Sequence, residues 1–297
     1  MSLFDGLSAF PITPTDAAGR VDTDALARIL TRIRDAKVHS IGLLGSTGGY
    51  AFLSREERRR AVDCAINTVG GDIPVIVGVG ALRTDEAQAL ARDAKAAGAN
   101  GLLLAPVSYT PLRDEEVYAH FVAVAEAGQL PVAIYNNPGA TRFTFPRALI
   151  ARLAQLPNVV AVKMPLPDGD DFASELAAIR AATPLSFKVG YSGDWGCAAA
   201  LLAGGDTWYS VIAGLLPGET LALAQASLDG DSVKAGQLNA AFAPLWALFK
   251  EFGSFRVMFV IAELLGLGRF APPLPILPLD DDARARIKAA LEGLQVQ

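Results

Sequence analysis

The chain reads as an α/β protein, a (β/α)8 TIM barrel with a C-terminal helical extension. Eight short runs rich in Val, Ile and Leu recur along it, at roughly 20 to 35 residue intervals. Between them lie segments whose apolar residues fall at helical spacing with charges opposite. The 297 residues exceed the about 250 that such a barrel needs. Doubly wound sheets also alternate strand and helix, so the count of eight and the length favour the barrel together.

The runs place strands at LSAFPI (7–12), SIGLLG (40–45), PVIVGV (74–79), GLLLAP (101–106), PVAIYN (131–136), VVAVKM (159–164), SFKVGY (186–191) and TWYSVI (207–212). Continuous apolar runs of this kind are buried on both faces, as parallel strands under helices are. TDALARILTRIRDAKV and TDEAQALARDAKAAGA are helices, with Thr23 and Thr84 as expected N-caps. Gly98 and Gly128 mark helix ends just before strands. Past residue 222 the pattern becomes helical without strands, and the proline-rich FAPPLPILPLDDD leads into a capped last helix. The expected division is therefore a barrel over 1–222 and a helical domain over 223–297.

Composition narrows the function classes. Hydrophobic residues make up 52% and charged residues 19%, with mean hydropathy +0.32, which fits a large core. The most apolar region, LLAGGDTWYSVIAGLLPGETLALA, is broken by Asp206, Pro217 and Glu219, so no membrane span is expected. The N-terminus has no basic region followed by an apolar one, so no secretory signal is expected. A net charge of -5 argues against a nucleic-acid partner. Cys64 and Cys197 form no redox or metal motif and fit a reducing cytoplasm. With His39 and His120 the only histidines, neither a metal site nor a cofactor is expected. VGVGALR carries Arg83 where a dinucleotide fingerprint needs its third glycine, and GSTGGY lacks the lysine of a nucleotide loop.

In such a barrel the chemistry sits at the C-terminal ends of the strands. The sixth run, Val159 to Val162, ends on Lys163. An amine there is partly desolvated, which disfavours its charged form. Its neighbours Val162, Met164 and Pro165 supply no carboxylate. A neutral lysine attacks a ketone to form a Schiff base, an electron sink. Tyr135 ends the neighbouring fifth strand, placed to move protons to and from the attacked oxygen. Ser46, Thr47 and Gly48 end the second, offering hydroxyls and amides suited to a carboxylate. Together they describe a 2-keto acid held by its carboxylate and activated at its carbonyl. Taken singly, Lys163 reads as a snorkelling lysine, Tyr135 as an amphipathic core residue and GSTGG as a tight turn. Their placement at consistent strand ends favours the joint reading.

GSTGG, YNNPGAT, VKMP and SGDW, in this order, with PVSYTPLRDEEVYAHF and the helical tail, resemble the dihydrodipicolinate synthase / N-acetylneuraminate lyase family. The resemblance covers nearly the whole chain. It implies a class I aldolase-type lyase, cytoplasmic, working on pyruvate or a related small-molecule 2-keto acid as a homo-oligomer, tetramer or dimer. By that likeness Lys163 matches the Schiff-base lysine and Tyr135 the proton-transferring tyrosine. Ser46 and Thr47 match the hydroxyl pair that binds the carboxylate and relays protons, and the backbone of Tyr209 lies near the keto acid.

The departures concern the substrate. Gly49 and Met164 stand where the family usually has acidic residues, and Ala140 where lysine-pathway synthases grip a second carboxylate with arginine. Arg142 either substitutes or is a surface arginine. Ser108 replaces the tyrosine that the synthases share between subunits, with Tyr109 one place along. Thr207 replaces a family glycine, and Trp208 adds bulk beside it. Schiff-base machinery without the synthase's grip disfavours true dihydrodipicolinate synthase activity and leaves aldol cleavage, condensation and dehydration open. Asp194 and Trp195 are expected at the distal part of the substrate, with a turn role as the other reading of Asp194. The alternative to an enzyme is a 2-keto acid or sugar-acid binding protein on the same barrel. Phosphate binding at the seventh and eighth loops gains little, because GYSGDWG and WYSVIAG contain no basic residue.

Overall fold

The computed structural model describes residues 2–294; Met1 and residues 295–297, which the sequence assigns to the two ends of the barrel-plus-tail layout, lie outside them. The strands are β1 (Gly6–Ala9), β2 (Ser40–Leu43), β3 (Val75–Gly78), β4 (Gly101–Leu104), β5 (Val132–Tyr135), β6 (Val159–Met164), β7 (Lys188–Tyr191) and β8 (Thr207–Ser210). They pair in sequence order, all parallel, and β8 returns to β1 to close the barrel. All eight overlap the apolar runs. Six of the runs extend past their strands into the loop at the C-terminal end, whereas those of β6 and β7 end with the strand, at Met164 and Tyr191.

The helices are α1 (Thr23–Asp35), α2 (Arg55–Val69), α3 (Thr84–Ala97), α4 (Asp114–Gly128), α5 (Pro138–Thr141), α6 (Arg147–Leu153), α7 (Phe172–Arg180), α8 (Asp194–Leu202), α9 (Pro217–Leu228), α10 (Ser232–Phe252), α11 (Ser254–Leu264) and α12 (Asp281–Gly293). Two expected caps shift by one residue. Asp22, not Thr23, caps α1 by accepting from the Ala25 amide, and Arg83 rather than Thr84 precedes α3. A carboxylate one step earlier reaches the orphan amides of the first turn, so Thr23 becomes the first helical residue. Gly98 closes α3 at φ 100°, but Gly128 is the last residue of α4, and Gln129 takes the left-handed position at φ 48°. Helix α9 packs against β1 and α8 as the barrel's eighth helix. The expected boundary at 222/223 falls inside this helix, which runs from Pro217 to Leu228.

Side chains alternate between the helix layer and the barrel interior. Phe10, Ile76, Leu103, Ala105, Ala133, Tyr135, Ala161 and Tyr209 belong to one interior cluster, separate from the larger core under the helices. One irregularity sets the chemistry. Val132 pairs with Val159, yet Ala133 pairs with Ala161, so Val160 is an extra residue in β6. This bulge re-phases β6 by one residue. Lys163 thereby pairs with Tyr135 on one side and Gly190 on the other.

Candidate active site

Lys163 is 4% exposed at the end of β6. Among the described residues its Nζ is in no ion pair and makes no hydrogen bond to protein. Three rings enclose it, with centroids 4.7 Å (Tyr135), 5.4 Å (Phe10) and 5.4 Å (Tyr209) away. Phe10 fits there because two strand-end positions lack side chains. A Cβ on Gly42 would lie 2.1 Å from the Phe10 ring, and one on Gly45 2.6 Å. Burial pulls the Lys163 amine down from 10.5 to about 7, against the opposing fields of Cys197 and Asp194. Near neutrality a substantial fraction of it is therefore the nucleophilic free base.

Tyr135 closes the next strand, its hydroxyl 3.0 Å from Ser46 Oγ. Burial raises its pKa, while hydrogen bonds from Ser46 and Asn137 pull the other way. Ser46 stands on the turn after β2, where Leu44 sits at φ 57°, an uncommon conformation for a branched side chain. The amides of Thr47 and Gly48 donate no hydrogen bond among the described residues, which leaves them available to a carboxylate. The turn is braced from behind. Buried Arg58 donates to the carbonyls of Gly80 (3.0 Å) and Gly78 (2.9 Å) and lies over the Tyr50 ring. A Cβ on Gly78 would come within 1.9 Å of the Leu44 carbonyl oxygen. Gly78→Ala is accordingly expected to cost about 2–3 kcal/mol and to shift the Ser46 turn, read as a lower thermal midpoint together with weaker pyruvate binding.

Lys163, Tyr135 and Ser46 thus lie together, and Tyr209, whose backbone the resemblance places near the keto acid, brings its ring to Lys163. Two expected residues take other places. Thr47 is buried, makes no side-chain hydrogen bond among the described residues and lines a cavity of about 30 Å³ with Thr13 and Phe255; the hydroxyl on Tyr135 is Ser46's. Asp194, expected at the distal substrate, is 2% exposed. It accepts from Trp208 Nε1 (2.8 Å), Ser210 Oγ (2.8 Å) and the amides of Val211 (3.2 Å) and Ile212 (3.3 Å). Its oxygens are spent tying the loop after β7 to the loop after β8. Those amides are where a barrel would hold phosphate, and an internal carboxylate occupies them. Trp195 is partly exposed and lies against Lys250.

The family model for the dihydrodipicolinate synthetase family matches residues 3–294. The chain belongs to that family. A 4-hydroxy-tetrahydrodipicolinate synthase of Pseudomonas putida (strain W619) is 33% identical over 281 residues, covering 94% of each chain. The crystal structure of dihydrodipicolinate synthase from Agrobacterium tumefaciens str. C58 shares 58% identity over 98% of both chains, with a TM-score of 0.97. A putative dihydrodipicolinate synthetase from Pseudomonas aeruginosa gives 33% and 0.91, covering 98% of this chain and 99% of its own. As a member of the dihydrodipicolinate synthetase family the chain is an enzyme, a Schiff-base-forming lyase of the class I aldolase type that acts on pyruvate or a related 2-keto acid. No helix among the described residues is long and apolar enough to cross a membrane.

Two residues at the site escaped the sequence reading. Phe10 was hidden in a strand with no chemical label. Asn137 donates from Nδ2 to Tyr135 Oη at 3.0 Å and to Ser46 Oγ at 3.3 Å. Its signal was present: it lies two residues after Tyr135, the spacing that keeps side chains on one face.

Proposed function

We propose that Lys163 forms the Schiff base, with Tyr135 and Ser46 moving the protons and the Thr47–Gly48 amides holding the substrate carboxylate. The observation that carries this is a ring-enclosed amine, unpaired among the described residues, over the Tyr135 ring on the neighbouring strand end of the barrel. Attack by the neutral amine forms the N–C bond and sends the carbonyl π pair to oxygen, which takes the Tyr135 proton. The proton released by nitrogen restores Tyr135, and its second delivery lets that oxygen leave as water. The nitrogen lone pair closes the iminium, and loss of a proton from the adjacent carbon gives the enamine.

We infer further that the substrate has no second carboxylate to be gripped, so that the synthase reaction itself is not this chain's. Support comes from Ala140 and from the neutral strand-end residues Ser46, Val107, Asn137, Leu166, Ser192 and Val211. Arg142 is exposed and in no ion pair among the described residues, which fits a surface arginine. Cleavage or dehydration of a 2-keto-3-deoxy acid and aldol addition to pyruvate share this iminium and enamine. We place the enzyme in the cytoplasm as a homo-oligomer, tetramer or dimer, in keeping with its unpaired cysteines and the exposed Leu82 and Tyr109 on the loops after β3 and β4.

Borohydride reduction in the presence of pyruvate, followed by peptide mass mapping, tests the assignment. The expected result is one adduct, on Lys163; an adduct elsewhere, or none, refutes it. Tyr135→Phe is expected to slow turnover roughly 100-fold while leaving pyruvate affinity within a factor of about three. Equal losses in both would make Tyr135 a binding residue.

A further inference from the structure

We propose that Asn137 is a positioning residue for proton transfer, setting the hydrogen-bond polarity of the Tyr135–Ser46 pair. This rests on the Schiff-base reading above and names a member of the relay that the reading lacks.

The geometry is a closed triangle. Tyr135 Oη and Ser46 Oγ are 3.0 Å apart, and Asn137 Nδ2 lies 3.0 Å from the first and 3.3 Å from the second. The carboxamide nitrogen carries two protons and no acceptor, while each hydroxyl carries one proton and two acceptor sites. Four protons therefore serve three bonds, and the one left over belongs to a hydroxyl. Because Asn137 only donates, neither hydroxyl can spend its proton on it. The free O–H, whether of Tyr135 or Ser46, is left for the substrate. Both arrangements satisfy Asn137 equally, so the pair can reverse direction without breaking its third side. When Tyr135 gives up its proton, the resulting phenolate is held by two donors, Asn137 and Ser46, which favours the charged form.

The chain holds Asn137 in place for this. Its carbonyl accepts from the amides of Ala140 (3.0 Å) and Thr141 (2.9 Å) and from Thr141 Oγ1 (3.0 Å). Those three bonds anchor its backbone at the entrance to α5. The preceding Asn136 points elsewhere, donating to Met164 Sδ at 3.5 Å. The titratable groups around the triangle are Tyr50 from the turn after β2, Lys163 from β6, and, behind Lys163, Cys197 and Asp194 from α8 and Tyr209 from β8.

Asn137→Ala removes both donors, and Asn137→Asp keeps the shape but replaces the donors with a negative acceptor. Exchange of the methyl protons of pyruvate in D2O reads the relay, and borohydride trapping at equilibrium reads Lys163. The expected result is unchanged adduct yield in Ala with exchange slowed about 10-fold, and in Asp, where the new charge also weakens pyruvate binding, exchange per trapped adduct slowed about 100-fold. A tyrosinate absorbance titration without substrate, assigned by difference against Tyr135→Phe, is expected to show the Tyr135 midpoint raised by about one pH unit in Asp. Exchange at the wild-type rate in both variants overturns the proposal. So does an Asp variant that recovers what Ala loses, because shape alone would then explain the residue. If wild-type enzyme gives no adduct, the Schiff-base reading fails, and the titration still decides whether Asn137 holds the Tyr135 hydroxyl.

Discussion

Replacing Lys163 with methionine is expected to end imine formation and to make the fold more stable. Loss of the nucleophile should lower turnover by on the order of 10⁴-fold or more. Arginine should do no better, since a guanidinium stays protonated. The gain in stability follows from what the amine costs. Its pKa falls from 10.5 to about 7 because burial removes it from water with no anion bonded to it. Below pH 7 the folded and unfolded chains both carry the charge, and burying it costs at most roughly 5 kcal/mol at about 1.4 kcal/mol per pKa unit. Between about pH 7 and 10.5 the unfolded chain binds a proton that the folded chain does not, so native stability rises with pH through that window. The advantage of Lys163→Met is therefore greatest below pH 7 and fades toward pH 10.5. Urea unfolding of both proteins at pH 6 and pH 9.5 measures it, and a pH-independent difference would contradict the depressed pKa. In the wild type the rate of imine formation should climb tenfold per pH unit and level off above about pH 7.

The barrel was legible in the sequence because parallel strands covered on both faces leave unbroken apolar runs, and lysine at the end of one is chemically conspicuous. What places Lys163 beside Tyr135 was not legible. Nothing in VVAVKM marks Val160 as an extra residue, since a bulge between apolar neighbours has no sequence signature when both faces are buried. The roles of Phe10, Gly42 and Gly45 depend on one another across two strands, and a single chain read in order does not pair them. Between Ser46 and Thr47, the hydroxyl that meets Tyr135 is chosen by the left-handed Leu44, whose backbone angle no residue type announces. Asp194 misled for a related reason. In S-G-D-W an aspartate reads as a loop residue facing solvent or substrate, whereas its four donors come from the far side of β8 and the turn that follows it.

That misplacement leads to the second large effect. Asp194→Ala is expected to destabilise the protein by about 3–5 kcal/mol, because it leaves the Trp208 indole N–H, the Ser210 hydroxyl and two amides buried without their acceptor. Asp194→Asn should cost less, about 1–3 kcal/mol. Its oxygen can still serve Trp208 and Ser210, but its nitrogen then faces the donors of Val211 and Ile212. The activity of the Asn variant separates a structural carboxylate from a substrate contact. The field of Asp194 raises the Lys163 pKa, so removing the charge moves that pKa down, and the pH midpoint of imine formation should move down with it. A distal substrate contact would act differently: KM would change with the length of the 2-keto acid, while the midpoint and the unfolding free energy stayed put. Chemical denaturation and the pH–rate profile of a single variant therefore distinguish the two.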